Sequence, residues 1–220
     1  MWQANPKVTS MDMQYDNYAN SRLQGRFREM SSWRFVFPYL EGKRVLDVGC
    51  SDGLYLRHLS KDSVGIEQVD ALAEAGRGKG LHIIGGDVLE GVRGFVDSSF
   101  EGVLFSHVME HVDCPIVMLR ELYRVMKPGG ILVLGLPIER NIYRDLLRMD
   151  YFDGTHIYAF SVRNALNLTE TTGFKAQKIF FHLPKCQNSL GAGLEGLWNA
   201  VRWPFREYFS LAYWVIAEKE

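Results

Sequence analysis

Three acidic residues stand where short β-rich runs of this 220-residue chain end: Asp47, Glu67 and Asp87. The carboxyl ends of parallel strands meet at one edge of an open α/β sheet, and ligands bind there. An acid that ends the second strand can accept hydrogen bonds from both hydroxyls of a ribose. Asp87 suits the exocyclic amine of an adenine. Asp47 would attract a cationic amino-acid tail of a cofactor, whereas it would repel a pyrophosphate. These three carboxylates predict a site for a nucleoside cofactor with a charged tail.

The turn after the first of these runs has the composition of a cofactor loop. It contains Gly49 and Gly53, and glycines let the backbone lie against a ligand because they have no Cβ. A dinucleotide fingerprint would place glycines at positions 49, 51 and 54, but this chain has Ser51 and Leu54. The spacing therefore disfavours a nicotinamide oxidoreductase.

Candidate general bases follow later strands of the same predicted sheet. His107, Glu110 and His111 come after the fourth strand, and His156 comes in a loop after the fifth. Each could remove a proton from a substrate. For His107 and His111 the alternative is a structural role at the start of the next helix. For His156 it is a hydrogen bond within its loop.

Alternation of β-rich and helical runs predicts the elements that position these residues. A leading helix is predicted over 18–39 and a short helix over 54–59, followed by helices at 71–75, 115–126, 141–148 and 161–172. Strands are predicted at 44–48, 63–67, 81–84, 103–106, 131–136, 174–181 and 212–217. Residues 127–130 are expected to form the turn before the fifth strand. The fold class is α/β, a doubly wound, mostly parallel seven-stranded sheet.

Composition limits the classes of partner. With 25 Lys and Arg against 26 Asp and Glu, the net charge of −1 predicts no nucleic-acid partner. No apolar run approaches a membrane span, so no stable membrane insertion is expected. The three isolated cysteines predict neither disulfides nor a zinc cluster, which favours the cytoplasm and no metal site. Oligomeric state stays open, a homodimer included.

Several segments taken together resemble the class I S-adenosylmethionine-dependent methyltransferases. They are Val45 to Cys50, Val64 to Glu67, Gly86 to Val88, Phe100 to Val112 and Leu119 to Gly130. The loop of that family is usually Gly-x-Gly-x-Gly, and here Ser51 replaces the middle glycine. The resemblance implies a Rossmann-like methyltransferase fold, S-adenosylmethionine as cofactor, S-adenosylhomocysteine as product and a small-molecule acceptor.

The resemblance also implies a set of site residues. The cofactor-binding residues are expected to be Asp47, Gly49, Cys50, Ser51, Gly53, Glu67, Gln68, Asp87, Val88 and Ser106. The catalytic candidates are His107, His111 and His156.

A single methyltransferase domain, 1–220, is expected. It would comprise an N-terminal helical cap (1–40), a cofactor-binding core (41–183), a helical insertion or lid (184–209) and a last strand (210–220). In the insertion, Leu190, Leu194, Leu197, Trp198 and Val201 fall on one helical face, which is expected to pack as a lid or core. Two alternatives stay open: cofactor binding without turnover, and a lipid- or quinone-type methyltransferase at the membrane surface. In the second alternative, Trp198, Arg202, Trp203 and Arg206 would lie on the membrane.

Overall fold

The computed structural model describes residues 18–26, 28–149, 156–184, 188–201 and 205–220. Seven strands form one sheet: β1 (Val45–Val48), β2 (Val64–Glu67), β3 (Ile83–Gly85), β4 (Phe100–Ser106), β5 (Met126–Pro137), β6 (Phe174–His182) and β7 (Ala212–Lys219). Their order is β3-β2-β1-β4-β5-β7-β6. The first five strands are parallel, and β7 is antiparallel to both β5 and β6. The predicted fold class is confirmed.

The strand order reverses between β1 and β4, which places a crevice at their carboxyl ends. All four residues of β1 and all four of β2 are buried, as expected for strands covered on both faces. Their registers bring Asp47 opposite both Gly65 and Leu104, and Glu67 opposite Gly85. Two acidic strand ends therefore lie side by side at the crevice.

Helices cover the two faces of the sheet. They are α1 (described over 18–23), α2 (Trp33–Val36), α3 (Asp70–Gly78), α4 (Val88–Arg93), α5 (Pro115–Val125), α6 (Ile142–Leu147), α7 (Val162–Thr171) and α8 (Ser189–Ala200). The largest core cluster joins α4, α5 and α7 to one face, and a second cluster around Trp33 and Trp214 joins α2 to the other. Among the described helices, none has the length and apolar character needed to cross a bilayer.

The leading helix predicted over 18–39 is broken in the structure. Gly25 adopts φ +69°, its N–H donates to the carbonyl of Arg22, and the chain becomes helical again only at Trp33. A 3-10 helix, Phe37–Tyr39, then follows. The left-handed glycine ends α1 because its conformation cannot continue a right-handed helix. The first 17 residues of the predicted cap lie outside the described part of the chain.

Two other predicted elements also differ. The helix predicted over 54–59 is a series of turns with a 3-10 helix at Leu56–His58. The turn predicted at 127–130 lies inside β5, which begins at Met126 and carries a register irregularity against β4. That irregularity accommodates Gly129 at φ +73° within the strand.

Three leucines of the predicted apolar face of α8 are exposed: Leu190, Leu194 and Leu197 are 74%, 55% and 61% exposed. Trp198, predicted on the same face, packs against the main core cluster and donates a hydrogen bond to Ser210. Glu195 on this helix is fully buried. The three leucines therefore do not pack against the described part of the chain as expected, and a role of the helix as a lid stays a prediction.

Candidate functional site

The turn after β1 is shaped by two glycines that no other residue could replace easily. Gly49 has φ +73°, and a Cβ there would lie 2.3 Å from a methyl carbon of Val108. Gly53 has φ +82°, and its Cβ would lie 2.0 Å from the side chain of Leu81. Positive φ and close packing both require glycine here. The backbone of this turn consequently lies across the carboxyl end of β1.

Asp47 lies beneath the turn as a buried acid. Its side chain is 3% exposed, and its Oδ2 has no hydrogen-bond partner among the described residues. Burial and, after it, the nearby Glu67 carboxylate raise the pKa of Asp47 to about 8, with Arg22 acting in the opposite direction. An unsatisfied buried carboxyl oxygen is costly, so this atom favours a ligand that brings a donor or a positive charge.

Glu67 connects the end of β2 to the same turn. Its Oε2 accepts a 2.7 Å hydrogen bond from the Ser51 N–H, and its Oε1 accepts a 2.8 Å bond from the Val69 N–H. Burial raises the pKa of Glu67, with these hydrogen bonds acting in the opposite direction. Each carboxylate oxygen has two lone pairs, so both can accept one further hydrogen bond. Glu67 thus holds the turn and retains capacity for a ligand hydroxyl.

Ser51 occupies the left-handed region at φ 55°, where the family pattern has its middle glycine. Its hydroxyl accepts a 2.9 Å hydrogen bond from Arg22 Nε, and the Arg22 guanidinium also forms a 2.6 Å ion pair with Asp52. Arg22 is 7% exposed, so α1 covers the turn through a buried arginine. Lys79 pairs with the other oxygen of Asp52 at 2.6 Å. The turn is therefore fixed from α1 and α3 together.

The remaining predicted cofactor residues occupy varied positions. Cys50 is buried, which raises the pKa of its thiol and keeps it neutral. Gln68 is exposed beside the end of β2. Asp87 is the N-cap of α4, its Oδ1 accepting a 2.9 Å hydrogen bond from the Glu90 N–H, while Val88 is 8% exposed and packs into the main core. Their roles toward a cofactor stay predictions.

Ser106 and His107 lie at the end of β4. The N–H of His107 donates to the carbonyl of Gly135 at 2.9 Å, so its backbone extends the pairing with β5. His107 adopts φ 55°, a conformation that is uncommon for non-glycine residues. Its Nε2 is buried without a hydrogen-bond partner among the described residues, and its Nδ1 lies 3.6 Å from Glu110 Oε1.

A second group of titratable side chains lies beyond β4 and β5. The His111 and His156 rings meet edge to face with centroids 4.7 Å apart. Glu110 is 1% exposed, and its backbone carbonyl accepts hydrogen bonds from the N–H groups of Ile157 (2.9 Å) and Tyr158 (3.2 Å). These bonds hold the loop that carries His156 against the end of β4. The structure therefore brings His156 to the edge that carries His107 and His111.

Two contributors were not predicted from the sequence. Arg22 carries no local signal, because only the folded chain places α1 over the Gly49–Gly53 turn. Glu139, which pairs through Oε1 with His156 Nδ1, follows β5 directly. The strand-end position that singled out Glu67 could have found Glu139 as well.

Comparison with known proteins agrees with this architecture. Residues 18–179 match the family model described as a methyltransferase domain. A ubiquinone biosynthesis O-methyltransferase of Xanthomonas campestris pv. campestris is 30% identical over 104 residues, which cover 44% of each chain. This chain therefore spans less than half of that relative's length.

Solved structures show the same fold. An S-adenosylmethionine-dependent methyltransferase from Archaeoglobus fulgidus superposes with a TM-score of 0.67 at 24% identity, over 86% of this chain and 92% of that one. A possible histamine N-methyltransferase from Thermotoga maritima gives 0.65 at 20% identity, over 94% and 96%. The family match covers most of the sequence, and the strand order and the turn after β1 agree with it. The chain belongs to the methyltransferase domain family, with the fold of the class I S-adenosylmethionine-dependent methyltransferases.

Proposed function

We propose that this chain transfers a methyl group from S-adenosylmethionine to a small-molecule acceptor. The observation that carries the proposal is the buried, unpartnered Oδ2 of Asp47 beside the glycine turn, with Glu67 next to it. These two acceptor groups fit the cofactor, whose amino-acid tail carries an ammonium group and whose ribose carries two hydroxyls. Asp47 would hold the ammonium and Glu67 the hydroxyls. The relative named as an O-methyltransferase supports an oxygen acceptor.

The chain's own residues would supply binding, orientation and proton removal. When bound, S-adenosylmethionine supplies an electrophilic methyl group on a sulfonium. Asp47, Glu67 and the turn fixed by Arg22 would hold that group at the carboxyl ends of β1 and β2. His107, whose Nε2 lacks a partner among the described residues, would accept a proton from an acceptor hydroxyl beyond β4.

Calorimetry with S-adenosylhomocysteine tests the cofactor site. We expect micromolar affinity for the unmodified chain and a loss of about tenfold or more in Glu67→Gln, since a charge-assisted hydrogen bond contributes roughly 1.5–3 kcal/mol. Glu74→Ala is the matched control, because Glu74 is an exposed acid on the neighbouring helix α3. No measurable heat with millimolar ligand would contradict the proposal. Formation of S-adenosylhomocysteine in a metabolite extract separates turnover from binding alone.

A second candidate is a methyltransferase whose lipid- or quinone-type acceptor lies at a membrane surface. The exposed side chains of Leu190, Leu194 and Leu197 favour it. Sedimentation with vesicles of phosphatidylcholine and phosphatidylglycerol tests it. The Leu194→Glu, Leu197→Glu double variant should lose vesicle binding, while Val96→Glu, at an exposed apolar position outside α8, should retain it. Binding unchanged in the double variant would exclude this face.

We propose one domain over 1–220 and a cytoplasmic location for the chain. The free thiols of Cys50 and Cys114 support a reducing compartment. A non-denaturing mass measurement would decide between monomer and homodimer.

A further inference from the structure

Glu110, His111 and His156 converge beyond the end of β4. One ligand-type atom from each residue lies within 4.8 Å of the others. Metal–ligand distances near 2.1 Å would require these atoms to close by only about 1 Å toward a common centre. Two of the three are on one loop after β4, and the third is held there by the hydrogen bonds from Ile157 and Tyr158 to the Glu110 carbonyl.

Glu110 gives an independent indication of a cation. Its side chain is 1% exposed, and neither carboxylate oxygen has a hydrogen-bond partner among the described residues. A buried carboxyl group without hydrogen-bond partners is costly unless a positive charge compensates it.

His156 is arranged as metal-binding histidines usually are. Its Nδ1 pairs with Glu139 Oε1, and Glu139 is itself 6% exposed. Histidines that bind metals commonly donate the N–H of one ring nitrogen to a carboxylate, which orients the other nitrogen toward the ion. Glu139 thus orients the His156 ring from its Nδ1 side.

We propose that Glu110, His111 and His156 bind one divalent first-row transition-metal ion, with Glu139 orienting His156. Two imidazoles and one carboxylate suit Zn²⁺ or Fe²⁺ better than Mg²⁺, which prefers oxygen ligands and retained water. Three protein ligands leave at least one coordination position open, as in catalytic metal sites.

The location gives the ion a role in the proposed reaction. The site lies at the edge that carries His107, where the acceptor is expected. A hydroxyl group bound at the open position would lose its proton more readily, because a divalent cation lowers its pKa. This role rests on the proposed methyl transfer, whereas the metal site itself does not.

A calorimetric titration of the EDTA-treated full chain with Zn²⁺ tests the site. We expect one equivalent of Zn²⁺ with micromolar or tighter affinity. His111→Ala and His156→Ala should each lose about 100-fold in affinity, and Glu139→Gln should lose about tenfold, as changes beside a metal ligand typically do. His82→Ala and His58→Ala are the controls, because neither histidine belongs to this cluster.

The results separate the metal site from the proposed function. Absence of zinc binding tighter than millimolar, or equal affinity in the unmodified chain and His156→Ala, would overturn the site even if S-adenosylhomocysteine still binds. Zinc binding without S-adenosylhomocysteine binding would leave the site standing and contradict the proposed function. If an alanine variant does not fold, the visible absorption spectrum of bound Co²⁺ is compared between the unmodified chain and Glu139→Gln. An identical spectrum in the two proteins would count against the site.

Discussion

At the residue scale, Asp47 shows how a binding group lowers the stability of its own fold. The folded-state pKa of about 8 exceeds the value near 3.9 expected in an unfolded chain. As pH rises, the unfolded chain therefore loses this proton first, and the folded state becomes progressively less favoured until about pH 8. Above that pH the difference is constant. The site retains a carboxyl here at the expense of stability, which is common for binding residues.

Asp47→Asn should therefore stabilise the chain in a pH-dependent way. We expect a gain of ~1–3 kcal/mol at pH 8 and a smaller gain at pH 5, because the variant has no carboxyl to deprotonate. Calorimetric unfolding at the two pH values measures this difference. The same variant should bind S-adenosylhomocysteine at least about tenfold more weakly. An equal change in melting temperature at pH 5 and pH 8 would contradict the raised pKa.

Ser51 allows the backbone and hydroxyl contributions of the turn to be separated. A left-handed residue with a Cβ costs roughly 1–2 kcal/mol, and Ser51 offsets part of this through its hydrogen bond from Arg22. Ser51→Ala keeps the strain and loses the bond, whereas Ser51→Gly loses both. We expect Ser51→Ala to be the less stable of the two by about 1 kcal/mol in urea unfolding. The opposite order would show that φ at position 51 carries no strain.

At the element scale, the sequence predicted strands better than helices. β1, β2 and β4 are short runs of buried residues, and such runs have few alternatives in an α/β chain. The region 18–39 shows helical spacing, but Gly25 adopts a conformation that interrupts it. Periodicity in 184–209 predicted the helix α8 but not that its leucines are exposed while Glu195 is buried. Glu195 is buried because it accepts hydrogen bonds from Ser31 and Leu183, which lie outside the helix, and helical periodicity contains no information on such contacts.

The attachment of α8 depends on Glu195. This fully buried carboxylate accepts hydrogen bonds from the Ser31 hydroxyl (3.1 Å), the Leu183 N–H (3.0 Å) and Arg34 (2.8 Å). It therefore connects α8 to β6 and to the segment before α2.

Glu195→Ala should release α8 because it leaves these donors without their acceptor. We expect a loss of ~2–3 kcal/mol in urea unfolding and faster proteolysis within 188–201. Glu170→Ala, at an exposed position on α7, is the control and should change neither. Unchanged protection of 188–201 in Glu195→Ala would show that α8 is held by other contacts.

At the scale of the whole molecule, the candidate residues share one edge of the sheet. Asp47 and Glu67 lie in the last residues of β1 and β2, while His107 and Glu139 follow β4 and β5. The sequence could predict this edge because parallel strands all end on the same side. It could not predict the covering contacts of Arg22, nor the approach of His156 to His111, since both depend on how distant loops fold back.

The antiparallel strand β7 stabilises β5, one of the strands that end at this edge. β7 lies between β5 and β6, and Trp214 on β7 is fully buried and donates a 2.9 Å hydrogen bond to the hydroxyl of Ser32. Gly135 on β5 faces this indole so closely that a Cβ would lie 2.7 Å from a ring carbon. Gly135 and Trp214 therefore pack β5 closely against β7.

Gly135→Ala should destabilise the whole chain, because neither the buried ring nor the strand can move aside freely. We expect a loss of ~1–3 kcal/mol, as for other overpacked cores, together with a change in tryptophan fluorescence. Gly196→Ala is the matched glycine control: it lies within α8 with nothing within 4 Å of its Cβ position. That variant should gain roughly 0.5–1 kcal/mol through helix propensity. Equal unfolding midpoints for the two variants would contradict tight packing between β5 and β7.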